Sequence, residues 1–166
     1  MNAESSSEFE TPSNPPAADA ALLRLGRLIV ESYERLLGKP LLAASGESDL
    51  WSTLWAAPRV VVAHGTQDDP IFFYGNRMAL QRFEMDFAAF TQLPSRYSAE
   101  PLLREERARL LKRVTRDGYI DDYAGIRIAS SGRRFRIEQA VVWNLVDAEG
   151  CIHGQAATFD RWAPVE

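Results

Sequence analysis

The stretch from Arg133 to Val146, RRFRIEQAVVWNLV, limits the fold more than any other part of this 166-residue chain. It opens as an alternating run, with Phe135 and Ile137 set between Arg134 and Arg136, and closes as a mostly apolar one from Ala140 to Val146. A period of two marks a strand, and an apolar second half requires cover on both faces of the sheet. Turn residues flank it, Ser130-Ser131-Gly132 before and Asp147 to Gly150 after. Residues 119–128 and 151–159 are therefore expected to pair with it as a three-stranded antiparallel system. Under strict alternation, Phe135, Ile137, Val141, Trp143 and Leu145 share one face, and Ala140, Val142 and Val146 the other.

Upstream, residues 19–37 read as an amphipathic helix with a stripe of Leu22, Leu25, Ile29, Tyr33 and Leu36, ended by Gly38 and Pro40. That stripe covers the domain's own sheet or, given its near-heptad spacing, also packs on a second copy in a homodimer. Asp49 or Ser48 caps a short helix carrying Trp51 and Trp55, which read as core. Arg59–His64 and Pro70–Tyr74 form two short strands around the polar turn GTQDD. At Gly75-Asn76 strand turns into helix, with Asn76 as cap and Ala79, Leu80, Phe83 and Phe87 at helical spacing. Asp86 and the Ser98–Pro101 stretch start further helices. A longer helix then runs from Pro101 to Arg116, with Leu103, Leu110, Leu111 and Val114 inward and Gly118 as its stop.

The expectation is an α+β fold: an antiparallel five-stranded sheet with helices packed on one face and an N-terminal amphipathic helix. One domain spans 19–166, and residues 1–18, rich in Ser, Glu and Pro, read as a disordered tail. A formal net charge of -4 provides no basic field, so direct nucleic-acid binding is not expected. A single cysteine excludes an intrachain disulfide and a cysteine-built zinc site. The N-terminus lacks a signal-peptide pattern, and no apolar run reaches the roughly 18 residues of a membrane helix, so a cytoplasmic protein with no membrane partner is expected.

The order of these elements resembles a PAS domain, and Tyr74-Gly75-Asn76 is similar to the tyrosine-x-asparagine that follows the second strand of that fold. Three longer segments, at 73–101 (FYGNRMALQRFEMDFAAFTQLPSRYSAEP), 113–147 (RVTRDGYIDDYAGIRIASSGRRFRIEQAVVWNLVD) and 154–159 (GQAATF), resemble the MEKHLA family of PAS-like domains. The likeness covers about 20–162. It implies a non-catalytic sensor or protein-interaction module in signalling or regulation, working through a small ligand, through dimerisation, or through both. The sequence has neither a homeodomain nor a leucine zipper. It therefore resembles the stand-alone bacterial members of the family, and the likeness implies no transcription-factor activity.

Pairing the hairpins as their turns suggest sets Asp122 opposite Gln139 and Gln139 opposite Thr158, on the face of Ile126, Phe135, Val141 and Trp143. This polar row either satisfies itself, lies at the wet rim, or points at a ligand. With Phe83 from the helical layer, these residues make the candidate small-molecule pocket. Gly154 falls opposite Trp143, leaving room beside the indole. The alternative is an enzyme using Asp122 as acid or base in the same pocket. Asp121 points to the other face, so the two carboxylates form no dyad. No phosphate loop, nucleophile elbow or His-rich metal spacing is present. Nor is a cofactor indicated: His64 and His153 lack a haem motif, and YGNRMALQRF lacks the cysteine that binds flavin in PAS photoreceptors. Cys151 reads as a passive thiol, and Arg133, Arg134 and Arg136 as a basic cluster on the hairpin, a minor candidate for an anion or an acidic partner.

Overall fold

The computed structural model describes residues 10–43, 49–100 and 104–165. Its helices are α1 (Ala20–Leu37), α2 (Leu50–Ala56), α3 (Arg77–Phe83), α4 (Phe87–Phe90) and α5 (Arg104–Asp117), with a 3-10 turn at Ser95–Ser98. Its strands are β1 (Val60–His64), β2 (Phe72–Gly75), β3 (Tyr119–Ile128), β4 (Arg134–Val146), β5 (Ile152–Phe159) and β6 (Trp162–Val165). The expected helix starts at Pro101 and the inward Leu103 lie outside the described residues. Asp19, Asp49, Asn76 and Asp86 cap α1 to α4, each side chain accepting from the N–H three residues on. Each such cap is worth about 1 kcal/mol.

The strands form one antiparallel sheet in the order β2-β1-β5-β4-β3, and β6 joins as a sixth strand beside the first half of β4. Thus β5 and β6 share one lane along β4, β5 pairing with Val141–Val146 and β6 with Arg134–Ile137. A four-residue strand containing Pro164 carries little period-two signal, which is why five strands were expected and six are found.

Between the two halves of β4 the alternation breaks. Gln139 adopts φ 52, in the left-handed region, and the register shifts between Tyr123 and Gly125 on β3. This bulge inserts one residue and changes the face on which every later side chain lies. Phe135 and Ile137 consequently share a layer with Ala140, Val60, Val62 and Phe83, whereas Val141, Trp143 and Leu145 lie on the opposite face. The single face expected for Phe135 through Leu145 is in fact two.

The Val141–Leu145 face is covered by α1. Ile29 and Tyr33 are buried at 0% and 2% exposure, and the Tyr33 ring meets Trp143 edge-on at 4.9 Å. Trp143 Nε1 donates to Ile29 O at 3.2 Å, while Ser32 Oγ and Arg35 Nη1 donate to Val146 O. Leu22 and Leu36 are partly buried in the same layer, and Leu25 is half-buried. Within one chain the stripe thus closes off Ile29 and Tyr33, while Leu22, Leu25 and Leu36 keep part of their surface exposed.

The N-terminal segment is also better fixed than its composition suggests. Trp51 Nε1 donates to Pro16 O at 3.0 Å and Trp55 Nε1 to Ser13 O at 3.1 Å, and Thr11 is buried, accepting from Arg77. Indole donors on a neighbouring helix anchor residues 10–18, so the packed chain starts before residue 19. Residues 1–9 lie outside the described residues. Trp51 and Trp55 are themselves buried in the core, as expected.

Asn76 joins three elements. Fully buried, its Oδ1 accepts from Val61 N and Ala79 N, and its Nδ2 donates to Leu54 O and Arg59 O. One side chain thereby satisfies α2, β1 and the start of α3. Among the described residues no helix is long and apolar enough to cross a membrane.

Candidate ligand-binding site

On the sheet face opposite α1, α3 and α5 stand off the strands and leave a cavity of ≈ 50 Å³. That is room for about four water-sized groups, far short of a flavin or haem ring system. Its apolar wall includes Val62, Phe72, Phe83, Ile137, Val142 and Phe159. His64, Ser98, Arg107, Tyr123, Arg127 and Gln155 supply the polar part.

His64 ends β1 and is 8% exposed. Its Nδ1 lies 2.9 Å from Gly65 O and so carries the hydrogen, and the buried Nε2 has no partner among the described residues. Burial, reinforced by the charge of Arg107 and opposed by the Gly65 bond, holds its pKa down at about 4. The imidazole is neutral at pH 7.

Arg107 projects from α5 and Arg127 from β3. Arg107 Nη2 donates to Ser95 Oγ at 2.6 Å, and Arg127 Nη2 to the Tyr123 hydroxyl at 2.7 Å. Both residues are half-buried overall, yet desolvation is the main influence on each charge. Arg107 is pushed down to about 10, with the charge of Arg127 as the next cause, and Arg127 is also lowered, with Tyr123 opposing. Neither guanidinium has an ion-pair partner among the described residues. The hairpin arginines differ: Arg133 pairs with Glu84, Arg134 with Glu100 and Arg136 with Glu138.

Gln155 secures the roof. Its Nε2 lies 3.3, 3.1 and 3.0 Å from Leu111 O, Thr115 Oγ1 and Asn144 Oδ1, and Asn144 Nδ2 donates to Val114 O at 2.9 Å. Side-chain amides of β4 and β5 therefore bond directly to the backbone of α5.

Of the candidate residues from sequence, Phe83 lines the cavity. Phe135 lies in the adjoining layer, its ring 5.4 Å from that of Phe83. Asp122 and Gln139 are exposed, and Ile126 is half-buried opposite Arg136. Val141 and Trp143 lie in the layer beneath α1. Thr158 is buried, accepting from Arg59 Nε at 2.7 Å. The expected polar row does not form, because Tyr123 stands opposite Ala140, and Thr158 opposite Val141. Gly154 stands opposite Leu145 while Ala156 faces Trp143; a Cβ at Gly154 would run into the His64 carbonyl, so the missing side chain makes room for β1 and not for the indole.

The polar residues that sequence reasoning passed over had a partial signal. Arg107 falls on the stripe of Leu103, Leu110 and Val114 by helical spacing, and Tyr123 and Arg127 are four apart on one strand face. A charge on an apolar stripe is the pattern that deserved weight.

Solved structures share this architecture at low identity. A PAS domain from Colwellia psychrerythraea aligns with a TM-score of 0.57 at 11% identity, covering 67% of this chain and 89% of that one. An RNA-binding Light-Oxygen-Voltage receptor aligns with a TM-score of 0.57 at 14% identity, covering 76% of this chain and 37% of that one. The fold is therefore PAS-like. Residues 23–164 match the MEKHLA domain, and the chain belongs to that family.

Its curated relatives include the homeobox-leucine zipper proteins HOX9 of Oryza sativa, 25% identical over 141 residues, and ATHB-9 of Arabidopsis thaliana, 27% identical over 161. These alignments cover 84% and 93% of this chain but only 17% and 18% of the relatives. The relatives are plant proteins, which does not support the expected placement with stand-alone bacterial members.

Proposed function

We propose that this MEKHLA domain is a sensor module that binds a small ligand in the cavity under α5 and reports its presence to α1 through the sheet, without chemistry on the ligand. The observation that carries this is the cavity itself, walled by apolar side chains and by His64, whose buried Nε2 has no partner among the described residues. Unsatisfied buried polar atoms are rare in packed cores and favour a site that accepts something.

The route to α1 is short. Val142 lines the cavity, and its neighbour Trp143 bonds to Ile29 on the other face. A ligand that wedges the cavity open shifts the balance between two packings of α1 on the sheet. The alternative, catalysis by Asp122, loses its pocket, because that carboxylate is exposed and does not line the cavity.

The test is an NMR titration of ¹⁵N-labelled protein with a panel of neutral and charged molecules of about four to six heavy atoms. Saturable shifts at the amides of Val62, Val142 and Ala157 support the reading. If no compound moves them at millimolar concentration, the domain is a closed structural unit and the sensor reading fails.

A further inference from the structure

The geometry points to a short carboxylate as the ligand class of this cavity, its charged end between Arg107 and Arg127 and its hydrocarbon end against Val62, Val142 and Phe159. The inference rests on the ligand-binding reading above and deepens it.

Two cations line one small cavity, and no carboxylate among the described residues pairs with either. Placing like charges together in a desolvated site is unfavourable, and an anion between them relieves both at once. Among the described residues the hydroxyls of Ser95 and Tyr123 each take one N–H, and the charge of Asp69 bears on Arg107 without forming an ion pair. A guanidinium carries five N–H donors in a planar fork, and among the described residues one N–H of each arginine is taken by a hydroxyl that orients it. By contrast, Arg133, Arg134 and Arg136 carry their own carboxylates.

The rest of the wall selects among anions. A phosphate or sulfate bears oxygen on every side and would press some of it against Val142 and Phe159, where no donor waits. A carboxylate concentrates its charge at one planar end, which matches the guanidinium fork. The cavity of ≈ 50 Å³ admits about four heavy atoms, the size of acetate, with propionate at the upper limit.

The experiment compares acetate, propionate, phosphate and the neutral isostere acetamide on the wild-type protein, by NMR titration at constant ionic strength. Acetate and propionate should move the Val142 and Ala157 amides, with acetamide weaker by about tenfold or more, the loss of one charge-assisted pair. Arg107→Lys keeps the charge but loses the fork, and should weaken acetate about fivefold or more, as should Arg127→Gln; thermal melts verify that each variant folds. The wild-type comparison needs no variant and stands even if both substitutions unfold the domain. Acetamide binding as well as acetate overturns the anion claim while leaving a ligand cavity. Phosphate binding as well as propionate overturns the carboxylate class. Failure of all four compounds overturns this inference, whereas the sensor reading falls only if the wider panel also leaves the Val62, Val142 and Ala157 amides unmoved.

Discussion

Acidification loads a proton onto a histidine that the fold holds neutral. His64 is buried, its Nδ1 hydrogen is committed to Gly65 O, and Arg107 is the charged group that bears on it. Its pKa is about 4 in the native state, and unfolding returns it to its ordinary 6.5. Above pH 6.5 the ring is neutral in both states, so the native state carries no penalty. Between 6.5 and 4 the unfolded chain takes up the proton and the native one does not, so stability falls as pH falls. The gap is worth about 3 kcal/mol in full, of which about 2 kcal/mol is lost by pH 5. The assay is urea unfolding at pH 7 and pH 5 for the wild type and for His64→Gln, which cannot titrate. Asp49, Asp117 and Asp147, held low chiefly by hydrogen bonds from Ser52, Arg116 and His153, act alike in both proteins and cancel. The wild type should lose about 2 kcal/mol more than the variant over this range. Equal losses would refute a buried neutral His64.

Three substitutions test the packing that positions the site. Asn76→Asp keeps the shape but replaces two donors facing Leu54 O and Arg59 O by a buried charge, and should cost about 3 kcal/mol or more in chemical denaturation. Gln139→Gly should raise stability by about 0.5–1 kcal/mol by relieving the positive φ of the bulge, whereas Gln139→Val should lower it, both read from thermal melts. Ile29→Ala should cost about 2–5 kcal/mol in thermal or chemical denaturation, because Ile29 is fully buried between α1 and the sheet.

What was legible in the sequence was local. Cap residues such as Asp19 and Asn76 announce helix starts through a side chain that reaches three residues on, and Gly118 and the Ser130–Gly132 and Asp147–Gly150 turns mark the hairpins. What failed was parity. One extra residue at Gln139 moved Val141 and Trp143 to the α1 face, with Thr158 opposite Val141, while Ile126 was misplaced by the register of the first hairpin, which sets it opposite Arg136. A bulge in the middle of a strand has no fixed residue signature, since Gln is an uncommon choice for a left-handed backbone. The site was missed for a second reason: Arg107, Arg127 and His64 come from α5, β3 and β1, and nothing in their spacing shows that the fold brings them to one cavity. Residues 10–18 were misread because their order depends on the indoles of Trp51 and Trp55, contacts far along the chain.

Hydrogen exchange across α1, with and without saturating propionate, tests the central claim most directly. If occupancy of the cavity is reported through the sheet, the amides from Ile29 to Tyr33 should change protection along with those of Val142 and Ala157. Changes confined to the cavity strands, with α1 unmoved, would contradict a sensor that speaks through that helix.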